Sequence, residues 1–110
     1  MKTEGLVKPA GLRGKAVSLA CEALGYAFRY GGGYMRDVLK YVSDDAAAFV
    51  YKYSDKIAKQ LFKIAEIPDL TVNMVKDAIF QFLNKKLDMD AGLALEIADG
   101  VKRALNIILF

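Results

Sequence analysis

KAVSLACEALGYAFRY, residues 15–30, is the stretch on which the reading of the fold turns. Its apolar residues Ala16, Val17, Leu19, Ala20, Ala23, Leu24, Ala27 and Phe28 return every three or four positions, while Lys15, Ser18, Glu22 and Arg29 fall on the other side. That period marks a helix with one face turned to a core. Ala16, Ala20, Ala23 and Ala27 make one edge of the apolar stripe small, which lets a neighbouring backbone come close, and this edge is the candidate interface. Gly31-Gly32-Gly33 ends the helix, because glycine tolerates the left-handed geometry of a C-cap and loses the most entropy inside a helix.

The same period continues outward. Residues 34–66 carry Met35, Val38, Leu39, Val42, Ala46, Phe49, Val50, Tyr53, Ile57, Leu61 and Ile64 at helical spacing. Ser43, followed by Asp44 and Asp45, reads as an N-cap with acidic residues at the positive end of a helix dipole, so the stretch divides into a short helix and a long one over 46–64. Pro68 drives Ile67 out of the helical region, and Asp69 or Thr71 caps the helix over 72–86, whose core face is Val72, Val75, Ile79, Phe82 and Leu83. Asp88 or Asp90 starts the last helix, with Leu93, Ile97, Val101, Ala104, Leu105 and Ile108 inward and Asp99 and Arg103 as an i,i+4 pair.

No stretch alternates with period two for long enough to make a sheet. The expected architecture is all-α, a compact bundle of four to five amphipathic helices formed by residues 15–110 as a single domain. Residues 1–14, with Pro9, Gly5, Gly11, Gly14 and no helical period, read as a flexible basic arm. The core is expected to hold Leu19, Leu24, Phe28, Leu39, Phe49, Ile57, Leu61, Val75, Ile79, Phe82, Ile97, Val101 and Leu105.

Composition bounds the function. A chain of 110 residues suits one domain, and its apolar share of 55% exceeds the usual share of about 45–50%, so part of its surface is expected to meet another molecule. Every candidate membrane span is cut by a charge such as Glu22, Arg29, Lys52, Lys76 or Asp99, and the glycine-rich start does not read as a signal peptide. With one cysteine, Cys21, and no histidine, an internal disulfide and the usual zinc and copper sites are excluded, and a reducing cytoplasm is the default compartment. The net charge of +3 is concentrated at the N-terminal side, where residues 1–43 hold seven basic and three acidic groups.

The residues do not assemble a catalytic centre on paper. Histidine, the commonest general base, is absent, and the paired carboxylates Asp44 with Asp45 and Asp88 with Asp90 stand where helices begin. Gly31-Gly32-Gly33 lacks the preceding strand and the Lys-Ser/Thr of a phosphate-binding loop. Cys21 lies beside Glu22, which raises a thiol pKa, and reads as a buried, inert cysteine. The expectation is a protein that is not an enzyme and carries no metal or cofactor. One spacing suggests a ligand: Lys52, Lys56, Lys59 and Lys63 line up along one side of the long helix near Tyr51, a candidate anion-binding row, with Asp55 placed to pair with Lys59.

The middle third of the chain resembles the histone fold of archaeal proteins, in Val42-Ser43-Asp44-Asp45-Ala46 ahead of the long helix, Ile57-Ala58 within it and Thr71-Val72 entering the next. The resemblance implies a long helix that mediates dimerisation and basic residues in flanking loops that hold DNA phosphates. The sequence departs from that pattern in a long helix about one turn short, in Pro68-Asp69-Leu70 where basic residues are expected, and in the additional helix over 15–30, so no DNA-contacting residue is carried over. The expected function is a non-enzymatic interaction module that associates with itself or a protein partner through an apolar helix face. The alternative is a binder of anionic surfaces, nucleic acid or membrane headgroups, including membrane activity of the bacteriocin or immunity-protein kind.

Overall fold

The computed structural model describes the backbone of residues 9–110 and the side chains from Gly14 onward. Among the described residues six helices follow one another: α1 (Pro9–Tyr30), α2 (Gly33–Leu39), α3 (Asp44–Lys52), α4 (Ser54–Ile64), α5 (Val72–Gln81) and α6 (Ala91–Leu109), with a π-turn over Phe82–Lys86 closing α5. No strand occurs among the described residues, and the fold is all-α. The count is six because the expected long helix is two.

The expected arm needs correction at its inner end. Residues 1–8 lie outside the described residues, but residues 9–14 are the first turns of α1. Proline suits the first helical position, where its missing N–H would be unpaired in any case. Gly14 marks a close approach rather than a loop: a Cβ there would lie 2.8 Å from the Cα of Asp69 and 3.2 Å from the Leu70 nitrogen.

Side-chain caps set the later boundaries. Ser43 Oγ accepts from the Ala46 N–H at 3.2 Å, Thr71 Oγ1 from Met74 at 3.1 Å, and Asp90 Oδ2 from Gly92 and Leu93 at 3.0 and 3.3 Å. Of each pair of candidate caps, the second is therefore the cap. Asp69 and Asp88 instead occupy the left-handed turn positions, at φ 53° and 56°, a conformation aspartate tolerates better than most residues.

The segment over 44–64 breaks at Tyr53, which leaves helical geometry at φ −111°, ψ 20°. The two halves serve different partners, since α3 packs on α6 whereas α4 packs mainly on α1. Apolar spacing runs through the break because Val50 and Ile57 are both fully buried. The long central helix on which the histone resemblance rests is thus absent.

Helix α6 is the axis of the bundle and touches α1, α2, α3 and α5. Its small residues Ala94, Ala98, Gly100 and Ala104 are all buried and let several helices approach it. At Gly100 an added Cβ would lie 2.5 Å from the Val38 carbonyl oxygen. That oxygen belongs to the unpaired C-terminal end of α2, and Arg103 Nη2 donates to it at 3.1 Å while its guanidinium carbon sits 4.8 Å over the Tyr41 ring. Asp99 consequently pairs not with Arg103, as the spacing suggests, but with Lys76 of α5 at 2.7 Å.

The core contains Leu24, Phe28, Ile57, Leu61, Val75, Ile79, Ile97, Val101 and Leu105, with Leu39, Phe49 and Phe82 half-buried around it. Leu19 does not belong to it and is 57% exposed. The buried side of α1 runs through Val17, Ala20, Cys21, Leu24 and Phe28; at about 100° per residue, Leu19 points away from Cys21 across the helix.

Candidate interaction site

The outward side of α1 follows from what its inward side must do. α1 lies tightly on α4, where Gly25 leaves room for Phe62: a Cβ at Gly25 would come within 2.9 Å of that ring. Phe62 is thereby brought to the flank of α1, with the Tyr26 ring edge-on at 5.0 Å and the Arg29 guanidinium carbon 5.6 Å over its face. Tyr26 stacks in turn against Tyr30 at 6.2 Å.

These contacts leave an apolar strip facing solvent. Ala16 is exposed, Leu19 is exposed, Ala23 is half-buried, and Tyr26 and Tyr30 are 56% and 74% exposed. The positions step by three and four, so the five side chains stand in one row along the helix. The candidate interface Ala16, Ala20, Ala23 and Ala27 is accordingly divided. Ala20 and Ala27 are buried in the chain's own core, and only Ala16 and Ala23 border the open strip. Tyr26 and Tyr30 are the residues that sequence reasoning missed, because a search for one buried stripe sets tyrosine aside; a second three-and-four row on the same helix was the signal. At its N-terminal end the strip reaches an apolar groove of about 480 Å³ between α1, residues 69–72 and the end of α6, with Ala16 on its rim.

The lysine row is distributed over two helices. Lys56, Lys59 and Lys63 lie on the outer face of α4, and Lys52 ends α3 just before the break; all four are exposed. Lys52 and Lys56 flank the Tyr53 ring, with Nζ atoms 5.3 and 5.8 Å from its centre. No ion pair among the described residues engages any of the four, and the expected Asp55–Lys59 pairing is not made.

Cys21 is wholly buried, and its Sγ–H donates to the Leu61 carbonyl at 3.2 Å. Burial, assisted by the neighbouring Glu22 carboxylate, pushes the thiol pKa up to about 12. The sulfur is therefore held as a neutral thiol and ties α1 to α4. Asp44, Asp45, Asp88 and Asp90 are spent at helix starts and turns, as cap, first-turn or left-handed residues.

Fold and surface together define a small all-α helical-bundle domain with an open apolar strip beside a lysine row. A family model described as the uncharacterised protein YqxI matches residues 9–108, and the chain belongs to that family. No curated protein and no solved structure matches it. Among the described residues no helix is long and apolar enough to cross a membrane.

Proposed function

We propose that this domain is a non-enzymatic protein-interaction module that self-associates, acting in a reducing cytoplasm, and that the outer strip of α1 is its contact surface. The supporting observation is the row Ala16, Leu19, Ala23, Tyr26 and Tyr30, in which three large apolar side chains remain in water on the same helix that supplies the core. Tyrosine favours such surfaces because it brings a large rigid area with few rotatable bonds and a polar tip. The experiment is sedimentation of the wild type and of Leu19→Glu/Tyr30→Glu over a micromolar concentration series. The wild type is expected to sediment as a concentration-dependent dimer and the variant as a folded monomer with unchanged helical content. A wild type that stays monomeric at high micromolar concentration rejects the reading.

A second reading, supported by the exposure of all four lysines without an acidic partner among the described residues, is the binding of an anionic surface. Each phosphate contact releases a counterion, so duplex-DNA affinity would fall with salt at a log-log slope of about −0.9 per contact. Lys52→Gln/Lys56→Gln titrated with duplex DNA and with anionic vesicles at two salt concentrations tests this. If neither affinity moves, the row is a solvated face.

A further inference from the structure

The outer strip of α1 has the spacing of a helix-pairing seam. Ala16, Leu19, Ala23, Tyr26 and Tyr30 alternate steps of three and four, the repeat that keeps one face of a helix against a partner helix in left-handed packing. α4 and α6 hold other flanks of α1, and the seam itself stays open. We propose that it is covered by the same seam of a second copy, antiparallel about a two-fold axis level with Leu24 and Gly25, with Glu22 of each copy against Arg29 of the other. This arrangement rests on the self-association read above.

Two independent features of the seam select this register. The first is size. In antiparallel pairing the two kinds of seam position face each other, and with Ala23 opposite Tyr26 the layers are Leu19 on Tyr30, Ala23 on Tyr26, Tyr26 on Ala23 and Tyr30 on Leu19. Both central layers then join a small side chain to a large one, as even packing requires. Parallel pairing would set Ala23 on Ala23 directly beside Tyr26 on Tyr26, a gap next to a bulge.

The second feature is charge. Glu22 and Arg29 each precede a seam residue, lie seven apart on one flank, and are both exposed. Flanking residues of this kind meet across an antiparallel seam and fix orientation and register. In the register above, Glu22 meets Arg29 twice by symmetry. Sliding the helices so that Ala23 faces Leu19 sets Glu22 against Glu22 and Lys15 against Arg29. Sliding one repeat further pairs Lys15 with Glu22 but leaves Tyr30 outside the contact and Tyr26 at its very end, opposite Pro9. No ion pair among the described residues engages Glu22 or Arg29, and the Phe62 ring 5.6 Å under the guanidinium steadies Arg29 beside the seam.

The test combines cross-linking with charge reversal, both on the intact chain. Ala23→Cys and Tyr26→Cys are prepared separately, mixed in equal amounts and mildly oxidised; the native Cys21 is fully buried and does not compete. The mixture is expected to yield a disulfide-linked heterodimer, and neither variant alone a comparable product. Glu22→Arg and Arg29→Glu should each raise the dimer Kd about tenfold or more by setting like charges together twice, and Glu22→Arg/Arg29→Glu should return it to near the wild-type value. Dimers in which Ala23→Cys cross-links to itself, or in which neither single reversal weakens association, overturn this arrangement while leaving self-association standing. A wild type that is monomeric throughout removes both.

Discussion

Gly100→Ala sets two comparable effects against each other. In a helix interior alanine is favoured over glycine by about 0.8–1.0 kcal/mol, so the substitution would stabilise α6 if there were room. There is none, because the new Cβ would lie 2.5 Å from the Val38 oxygen, 3.1 Å from Val38 Cγ1 and 3.3 Å from its carbonyl carbon. Carbon–oxygen contacts settle at about 3.3 Å or more, so α2 must withdraw by roughly 0.8 Å. The obstructing atom is backbone, its residue is fully buried, and its carbonyl is held by Arg103. Overpacking of this kind costs about 1–3 kcal/mol, and loss of a hydrogen bond from a charged donor about 1.5–3. Against a gain near 1 kcal/mol, the two costs together leave a net destabilisation of roughly 1.5–5 kcal/mol, or about 4–8 °C in Tm for each kcal/mol. Urea and thermal unfolding followed by circular dichroism measure it. Gly33→Ala is the control, since the nearest atom there is the end of the Arg36 side chain at 3.6 Å, an ordinary contact, and its effect should stay within about 0.5 kcal/mol. Gly100→Ala with stability equal to or above the wild type would refute the close approach of α2 to α6.

Leu61→Ala and Ile79→Ala, both at fully buried positions, should each cost about 2–5 kcal/mol in denaturant unfolding; a loss under about 1 kcal/mol at either site contradicts its burial. Ser43→Ala and Thr71→Ala each leave a helix-start N–H without its acceptor and should cost about 0.5–2 kcal/mol, additively because the caps lie on separate helices. Cys21 should resist iodoacetamide at neutral pH in the native protein and react promptly once the chain is unfolded, since its pKa stands near 12. A thiol whose folded pKa is raised contributes stability that is complete below its unfolded value of 9.0 and is lost as pH climbs toward about 12. Cys21→Ala should therefore show a shallower loss of stability between those pH values than the wild type, and equal slopes would argue against a buried thiol.

The helices were legible in the sequence wherever apolar period and cap chemistry agreed, as at Ser43, Thr71 and the face Ile97, Val101, Leu105. Three features were hidden, each because a tertiary contact decided it. Gly11 and Gly14 look like loop residues, and only the passage of α1 past Asp69 shows that Gly14 is a packing glycine. The break at Tyr53 leaves the apolar period undisturbed, since it redirects the buried face from α6 to α1 without reversing it. Leu19 fits a broad apolar stripe, and its exposure depends on which part of α1 meets α4 and α6. The candidate site was the least legible, because the same alanines read as an outer edge are half interior, while the two tyrosines of the outer strip are ambiguous in any hydropathy pattern.

Because α6 is the element against which α1, α2, α3 and α5 all rest, the order of synthesis works against early folding. Residues up to 90 emerge from the ribosome with the α1–α4 contact available and the inner faces of α2, α3 and α5 still lacking their partner. Chains grow at about 5–20 residues per second, so this nascent intermediate persists on the order of seconds with apolar surface open to water. The fold can close only once residues 91–109 are free of the ribosome, so a chain stopped short of α6 should leave the inner faces of α2, α3 and α5 uncovered.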